Sequence, residues 1–214
     1  MKIYDILFKN GTIIDPSNNI NSKLDIAISG TKIAKVSKSI DESKSKQTID
    51  AKDLIICPGL IDIHAHSFGY WEAIFPDEMC LPYGTTTMLD AGGPGWKTFD
   101  IMKDDVIRKS KTRVFSLLNI VGSGMIMDGE QNVSDMDPEA TAAKINERKD
   151  MLVGVKVAHF EANSWEAIKK GKKAAEDSGT FIMVDQNPIS GRNMEALLDK
   201  YMTSGDILTH VYAW

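Results

Sequence analysis

Residues Cys57–Ser67, CPGLIDIHAHS, decide how the chain is read. The apolar run after Pro58-Gly59 reads as a buried strand that ends in two histidines one residue apart. A strand alternates faces, so Asp62, His64 and His66 share one face while Ile61, Ile63 and Ala65 share the other. The second set is expected to pack under helices. The first set puts two imidazoles side by side at the C-terminal end of a strand, where a rigid backbone spares the entropy of gathering ligands around a cation. The alternative is two histidines satisfied by hydrogen bonds beside a strand end, with no ion.

Outward from that stretch, strands alternate with helices. Strands are expected at residues 55–64, 85–91, 113–120, 152–158, 181–185 and 206–212. Apolar residues at helical spacing predict helices over 96–109, 138–149, 165–177 and 193–202. Asp137 before Pro138 is a suitable N-cap, Ser164 can cap the third helix, and Gly179 suits its C-terminal stop. Alternation of this kind implies parallel βα units, in an open doubly wound sheet or in part of a barrel. No GxGxxG stands at a strand-to-helix turn, which weakens the dinucleotide alternative. Gly92-Gly93-Pro94-Gly95 lacks the Lys and Ser/Thr of a phosphate loop and reads as a flexible βα loop.

Residues 1–56 differ from the rest. Tyr4–Ile14, Leu24–Ser37 and Thr48–Ile56 alternate or run apolar, which predicts a small layer of three or four strands. Asn10-Gly11 is a hairpin signal, Ser29-Gly30 a second turn, and Ser37–Gln47 a solvated loop. The chain therefore divides into an N-terminal β subdomain, residues 1–56, and an α/β region, residues 57–214.

All four histidines, His64, His66, His159 and His210, fall at or just after the C-terminal end of an expected strand, where function collects in parallel α/β folds. Lys156 lies inside an apolar strand, LVGVKVAH. Val153, Val155 and Val157 are expected on one face, with Gly154, Lys156 and Ala158 on the other. A buried ammonium must be paired, neutralised or chemically changed. A neutral lysine can add carbon dioxide to become a carbamate, whose two oxygens can bridge two cations. The alternative is a lysine snorkelling from a strand end. Asp185 ends its strand as a ligand, a base or a cap of the Asn187-Pro188 turn. His159 and Glu161 line a pocket or face water, Asp90 is placed behind the site, and Asn119 is positioned to donate to a substrate carbonyl. His210 is a ligand or a core histidine bonded to a carbonyl.

The 214 residues carry a net charge of −5 with both signs mixed, so no basic stripe points to nucleic acid. The two cysteines, Cys57 and Cys80, have no metal spacing, and a reducing, cytoplasmic setting is expected. No apolar run is long enough to cross a bilayer, and no signal peptide is evident.

PGLIDIHAH, YGTTTMLDAGG, SKTRVFSLLNI and SGDILTHVY resemble the metal-dependent amidohydrolase superfamily, in its dihydroorotase-like and deacetylase branch. The resemblance runs over essentially the whole chain. It implies a (β/α) TIM-type barrel and hydrolysis of a C–N bond in a small amide or cyclic amide. It implies one or two divalent cations, with zinc favoured. His64 and His66 correspond to the ligands on the first barrel strand, Lys156 to a carboxylated lysine on the fourth, and His210 to a histidine on the sixth. Where the family carries a histidine at the end of the fifth strand, this chain has Asp185. The family's aspartate general base on the eighth strand has no counterpart in these residues. An incomplete barrel of about six strands is therefore expected, in strand order 1-2-3-4-5-6. Residues 1–214 alone are expected to be inactive, and either oligomeric or in need of a C-terminal part; any activity would make Asp185 the first candidate base. Two other readings are a non-catalytic scaffold and a phosphoester or lactone hydrolase. The scarcity of arginine in the βα loops counts against the phosphoester reading.

Overall fold

A computed structural model describes residues 2–185 and 191–212. They form two compact units, Met1–Gly59 and Leu60–Trp214.

The first unit contains seven strands, more than the three or four expected: β1 (Tyr4–Lys9), β2 (Thr12–Asp15), β3 (Ile20–Lys23), β4 (Asp25–Ser29), β5 (Lys32–Ser37), β6 (Ser45–Asp50) and β7 (Ile55–Ile56). They make a four-stranded sheet, β5-β4-β1-β6, and a three-stranded sheet, β3-β2-β7. Asn10-Gly11 does not close a hairpin, because β1 pairs with β4 and β6 while β2 pairs with β3 and β7. Asn10 instead takes a left-handed conformation at φ 66° and passes the chain from one sheet to the other. Its N–H donates to Asp25 Oδ1. Ser29-Gly30 does lie in a hairpin turn, between antiparallel β4 and β5. The Ser37–Gln47 stretch is less solvated than expected: Ile40 is buried, its N–H donates to Asp25 Oδ2, and β6 begins at Ser45.

The second unit is a half-barrel of six parallel strands. These are β8 (Leu60–Ala65), β9 (Thr85–Asp90), β10 (Arg113–Asn119), β11 (Leu152–Val157), β12 (Phe181–Asp185) and β13 (Ile207–Thr209). Their order in the sheet follows the chain, β8-β9-β10-β11-β12-β13. The stretch expected as one strand over 55–64 is two strands, β7 and β8, separated at Cys57-Pro58-Gly59. Proline supplies no N–H to a ladder, so the pairing breaks there and resumes in the other unit.

The helices are α1 (Pro76–Met79), α2 (Phe99–Met102), α3 (Pro138–Glu147), α4 (Glu166–Ser178) and α5 (Met194–Lys200). The helix expected over 96–109 is shorter: α2 runs into a π turn at Lys103–Ile107. Asp137 caps α3 by accepting from the Ala140 N–H, and Asn193 caps α5 from Ala196. Ser164 Oγ accepts from the Glu166 N–H at the start of α4, which stops at Gly179 with φ 66°. Leu118, Ile120, Val155, Val157, Ile182 and Val184 form one core with Ile145 of α3 and with Ala167, Ile168, Ala174 and Ala175 of α4. Leu89, Ala91, Leu117 and Met183 form a second cluster, with Val153 packed against it.

Val153 corrects the expected phase of β11. Between the pairs Ser116↔Leu152 and Leu117↔Gly154, β11 advances two residues while β10 advances one. Val153 is the extra residue of that bulge, and a bulge breaks strict alternation. Ile61 and Ile63 also depart from expectation. They are 65% and 55% exposed, because β8 is an end strand and no helix among the described residues covers that face.

Candidate metal centre

The site forms where the C-terminal ends of β8, β11, β12 and β13 converge. Register places Lys156 opposite Asn119 on one side and Met183 on the other, and Asp185 opposite Thr209. The Lys156 side chain is fully buried. Its Nζ donates to Asp185 Oδ1 at 2.8 Å, and lies 3.4 Å from His64 Nε2 and 3.6 Å from Met183 Sδ. Burial pushes the Lys156 ammonium below the usual lysine range, against the opposing pull of Asp185. Burial works to raise Asp185, but the Lys156 contact and the Thr209 hydroxyl hold its carboxyl below the usual carboxylate range.

The loop after β9 makes room for the lysine. Gly92 has φ 86°, and a Cβ there would stand 2.3 Å from Lys156 Cβ and 2.5 Å from its Cγ. Both the backbone conformation and the space demand glycine. Asn119 and Asp90 hold that loop. Asn119 is buried, its Nδ2 donates to the Gly92 carbonyl at 3.2 Å, and its Oδ1 accepts from the Val121 N–H at 3.1 Å. The amide expected to meet a substrate carbonyl is thus engaged with backbone at both ends. Asp90 is buried and accepts from the Ser67 N–H and hydroxyl and from the Gly93 N–H. Burial pushes its carboxyl up despite these bonds.

A second irregularity re-aims the first histidine. From Asp62 to Ala65, β8 takes three steps while β9 takes two, from Met88 to Asp90. His64 lies in that bulge, and its ring meets the His66 ring edge-on at 5.6 Å and the His210 ring at 5.1 Å. His210 follows β13 in a left-handed conformation, φ 57°, uncommon outside glycine. One ligand atom from each of His64, Asp185 and His210 falls within 4.8 Å of the others. His66 stands outside this trio, beside Tyr70 at 5.0 Å between rings. Its Nδ1 is buried without a hydrogen-bond partner among the described residues. Burial, then the charges of Lys156 and His64, push its imidazole down to about 4, so it is neutral and able to bind a cation at ordinary pH.

Asp185 Oδ1 is occupied by Lys156 and Thr209. Its Oδ2 is buried, has no hydrogen-bond partner among the described residues, and faces His159 Nε2 at 3.5 Å and His210 Nε2 at 3.9 Å. A buried carboxylate oxygen without a donor is unfavourable unless a cation approaches it. The donor set, imidazole nitrogen with carboxylate oxygen, suits a divalent transition metal.

Sequence reasoning missed Glu130 and Thr209. Glu130 sits in the 3-10 turn Ile126–Gln131, and its Oε2 lies 3.4 Å from His159 Nδ1. That contact is the largest reason the His159 imidazole is raised above its ordinary value. No periodicity marks a turn residue, so nothing in the sequence singled it out. Thr209 was findable, since it lies opposite Asp185 in the β12–β13 register. Glu161 is exposed, with its N–H bonded to Gln131 Oε1. The Asn187-Pro188 turn lies outside the described residues.

No family model matches the chain. It is 30% identical over 202 residues to a deacetylase of Agrobacterium fabrum, an alignment that covers 89% of this chain and 49% of that protein. A solved dihydroorotase superposes at a TM-score of 0.82 with 26% identity, over 95% of this chain and 56% of that one. A solved adenine deaminase gives 0.82 and 28%, over 96% and 56%. The chain spans about half the length of the curated relatives it matches.

Proposed function

The chain belongs to the metal-dependent amidohydrolase superfamily, and from that premise we propose that it takes part in hydrolysis of a C–N bond in a small amide or cyclic amide. The observation that carries this reading is Asp185 Oδ2, buried, without a donor among the described residues, and facing imidazole nitrogen. A divalent cation bound there, with zinc favoured by the donor set, supplies a Lewis acid for the carbonyl oxygen and brings water to ionise near neutral pH.

This chain's residues then divide the work. His64 and His66 would hold one cation, and Asp185 and His210 a second. Lys156 would bridge them as its carbamate: the amine nitrogen bonds to carbon dioxide and releases a proton to solvent. That addition requires the Lys156–Asp185 contact to open, and this frees Asp185 for its cation. His159, 41% exposed, would meet the substrate from its solvent-facing edge. Asn119 and Asp90 fix the loop that carries Gly92 and so keep space beside the Lys156 stem. Should residues 1–214 turn over an amide on their own, Asp185 would be the first candidate to accept the proton.

The test is elemental analysis of the protein after dialysis against zinc, followed by a panel of N-acetyl amides and cyclic amides. Bound metal that is lost in His64→Ala and His210→Ala, together with turnover of an amide by the full-length protein, is expected. A wild type that retains no divalent cation would overturn the reading.

A further inference from the structure

We infer that His159, oriented by Glu130, is itself a metal ligand, and that with Asp185 and His210 it forms a discrete cation position. The inference rests on the reading of the site as a metal centre and adds a ligand and its supporting carboxylate.

Three distances carry it. His159 Nδ1 lies 3.4 Å from Glu130 Oε2, while its Nε2 lies 3.5 Å from Asp185 Oδ2. Asp185 Oδ2 is in turn 3.9 Å from His210 Nε2. An imidazole whose Nδ1 faces a carboxylate is held with that nitrogen as the proton donor, which leaves the Nε2 lone pair for a cation; metal-bound histidines are commonly supported in this way. Two ligands at tetrahedral angles on bonds of roughly 2.0–2.1 Å stand about 3.3 Å apart, so the two separations at Asp185 Oδ2 need only a small contraction, while the His159 and His210 rings, 6.2 Å apart between centroids, would draw closer on the ion. The second observation is independent of the ring. Asp185 Oδ2 is more than nine-tenths buried, lacks a hydrogen bond among the described residues, and is aimed at the space between the two imidazoles.

The backbone that carries His159 is fixed before any ion arrives. Gln131 Nε2 donates to the His159 carbonyl at 2.9 Å, and the Glu161 N–H donates to Gln131 Oε1 at 2.9 Å. The turn that presents Glu130 and the loop that presents His159 are therefore joined by two hydrogen bonds, at His159 itself and at Glu161. Among the described residues Glu130 makes no hydrogen bond or ion pair to another candidate ligand, so it is a positioning residue acting through His159.

Cobalt(II) titration of the metal-free protein, read by visible ligand-field absorption and by isothermal calorimetry, tests the inference. Wild type, His159→Asn, Glu130→Gln and His64→Ala are compared, with thermal unfolding in chelator as the check on folding. His159→Asn should lose about one equivalent of bound cobalt and its share of the absorption, while binding that depends on His64 remains. Glu130→Gln should keep the stoichiometry and weaken the affected equivalent by about 10–100-fold. Unchanged stoichiometry and affinity in both variants would overturn this inference and leave the metal reading standing. A wild type that binds no cobalt would overturn both.

Discussion

Lys156 Nζ lies 2.8 Å from Asp185 Oδ1, and the two side chains are 0% and 2% exposed. Removing one partner of a buried pair leaves an uncompensated charge, at a cost of about 3–5 kcal/mol. In chelator and without bicarbonate, Lys156→Met should lower the urea midpoint strongly. The double variant Lys156→Met/Asp185→Asn should recover much of the loss. Losses that simply add would show that the pair contributes nothing as a pair.

On the proposed carboxylation of Lys156, carbon dioxide would compete with that pair. A carbamate on Lys156 turns a cation into an anion beside His64, so bicarbonate should raise zinc occupancy in the wild type. It should do nothing for Lys156→Ala. Labelled bicarbonate should add a carbamate carbon signal in the wild type with zinc present. No such signal, together with zinc occupancy indifferent to bicarbonate, would remove the bridging role from Lys156.

Gly92 separates the effect of space from that of backbone conformation. Gly92→Ala should both strain φ and push a methyl into the Lys156 stem, a combined loss of about 2–4 kcal/mol, with weaker cation binding. Gly179 also has positive φ, 66°, but a Cβ there meets nothing within 4 Å. Gly179→Ala should therefore cost only about 1 kcal/mol and leave cation binding untouched. Equal effects in the two variants would mean that the Lys156 stem yields easily.

Asp206 ties three elements together away from the site. It accepts from the Ile182 N–H at 3.0 Å, the Thr203 N–H at 2.7 Å and the Lys172 ammonium at 2.6 Å. Burial works to raise its carboxyl, but these donors hold it below its ordinary value. A folded-state value below the unfolded one contributes stability at neutral pH, which is lost as pH falls below about 3.9 and through the folded value. Asp206→Asn should cost about 1–3 kcal/mol at pH 7. The gap in urea midpoint between wild type and variant should narrow below about pH 4. A gap that is constant from pH 7 to pH 3 would assign the loss to geometry rather than charge.

The sheet was legible because each of its strands is a short apolar run set off by turn residues, and the run 181–185 matches β12 end for end. The polar residues at strand ends were legible for the same reason, since register and direction alone place Lys156, Asp185 and His210 near one another. What could not be read were one-residue irregularities. The bulges at Val153 and around His64 shift a face without changing composition. Asn10-Gly11 supplied the left-handed turn that its residues favour, but which strands meet across it depends on pairings distant in the chain. Glu130 reaches His159 across 29 positions from a turn, and no local rule connects them.

The end strand β8 carries the last prediction. It pairs with β9 on one edge, and on the other has no partner strand among the described residues. Leu60, Ile61 and Ile63 on it are 56%, 65% and 55% exposed. A bare edge with apolar side chains templates association, and natural sheets blunt such edges with lysine or proline. Here the apolar residues run through the strand that carries the candidate ligand His64, so any strand that pairs there would also bear on the position of that histidine. Residues 1–214 alone should associate in a concentration-dependent way by sedimentation velocity. Ile61→Lys with Ile63→Lys should shift the population toward monomer and leave the far-ultraviolet circular dichroism unchanged. Monomeric behaviour of the unaltered chain at high concentration would show that this edge is protected, and association unchanged by the double substitution would place the contact elsewhere.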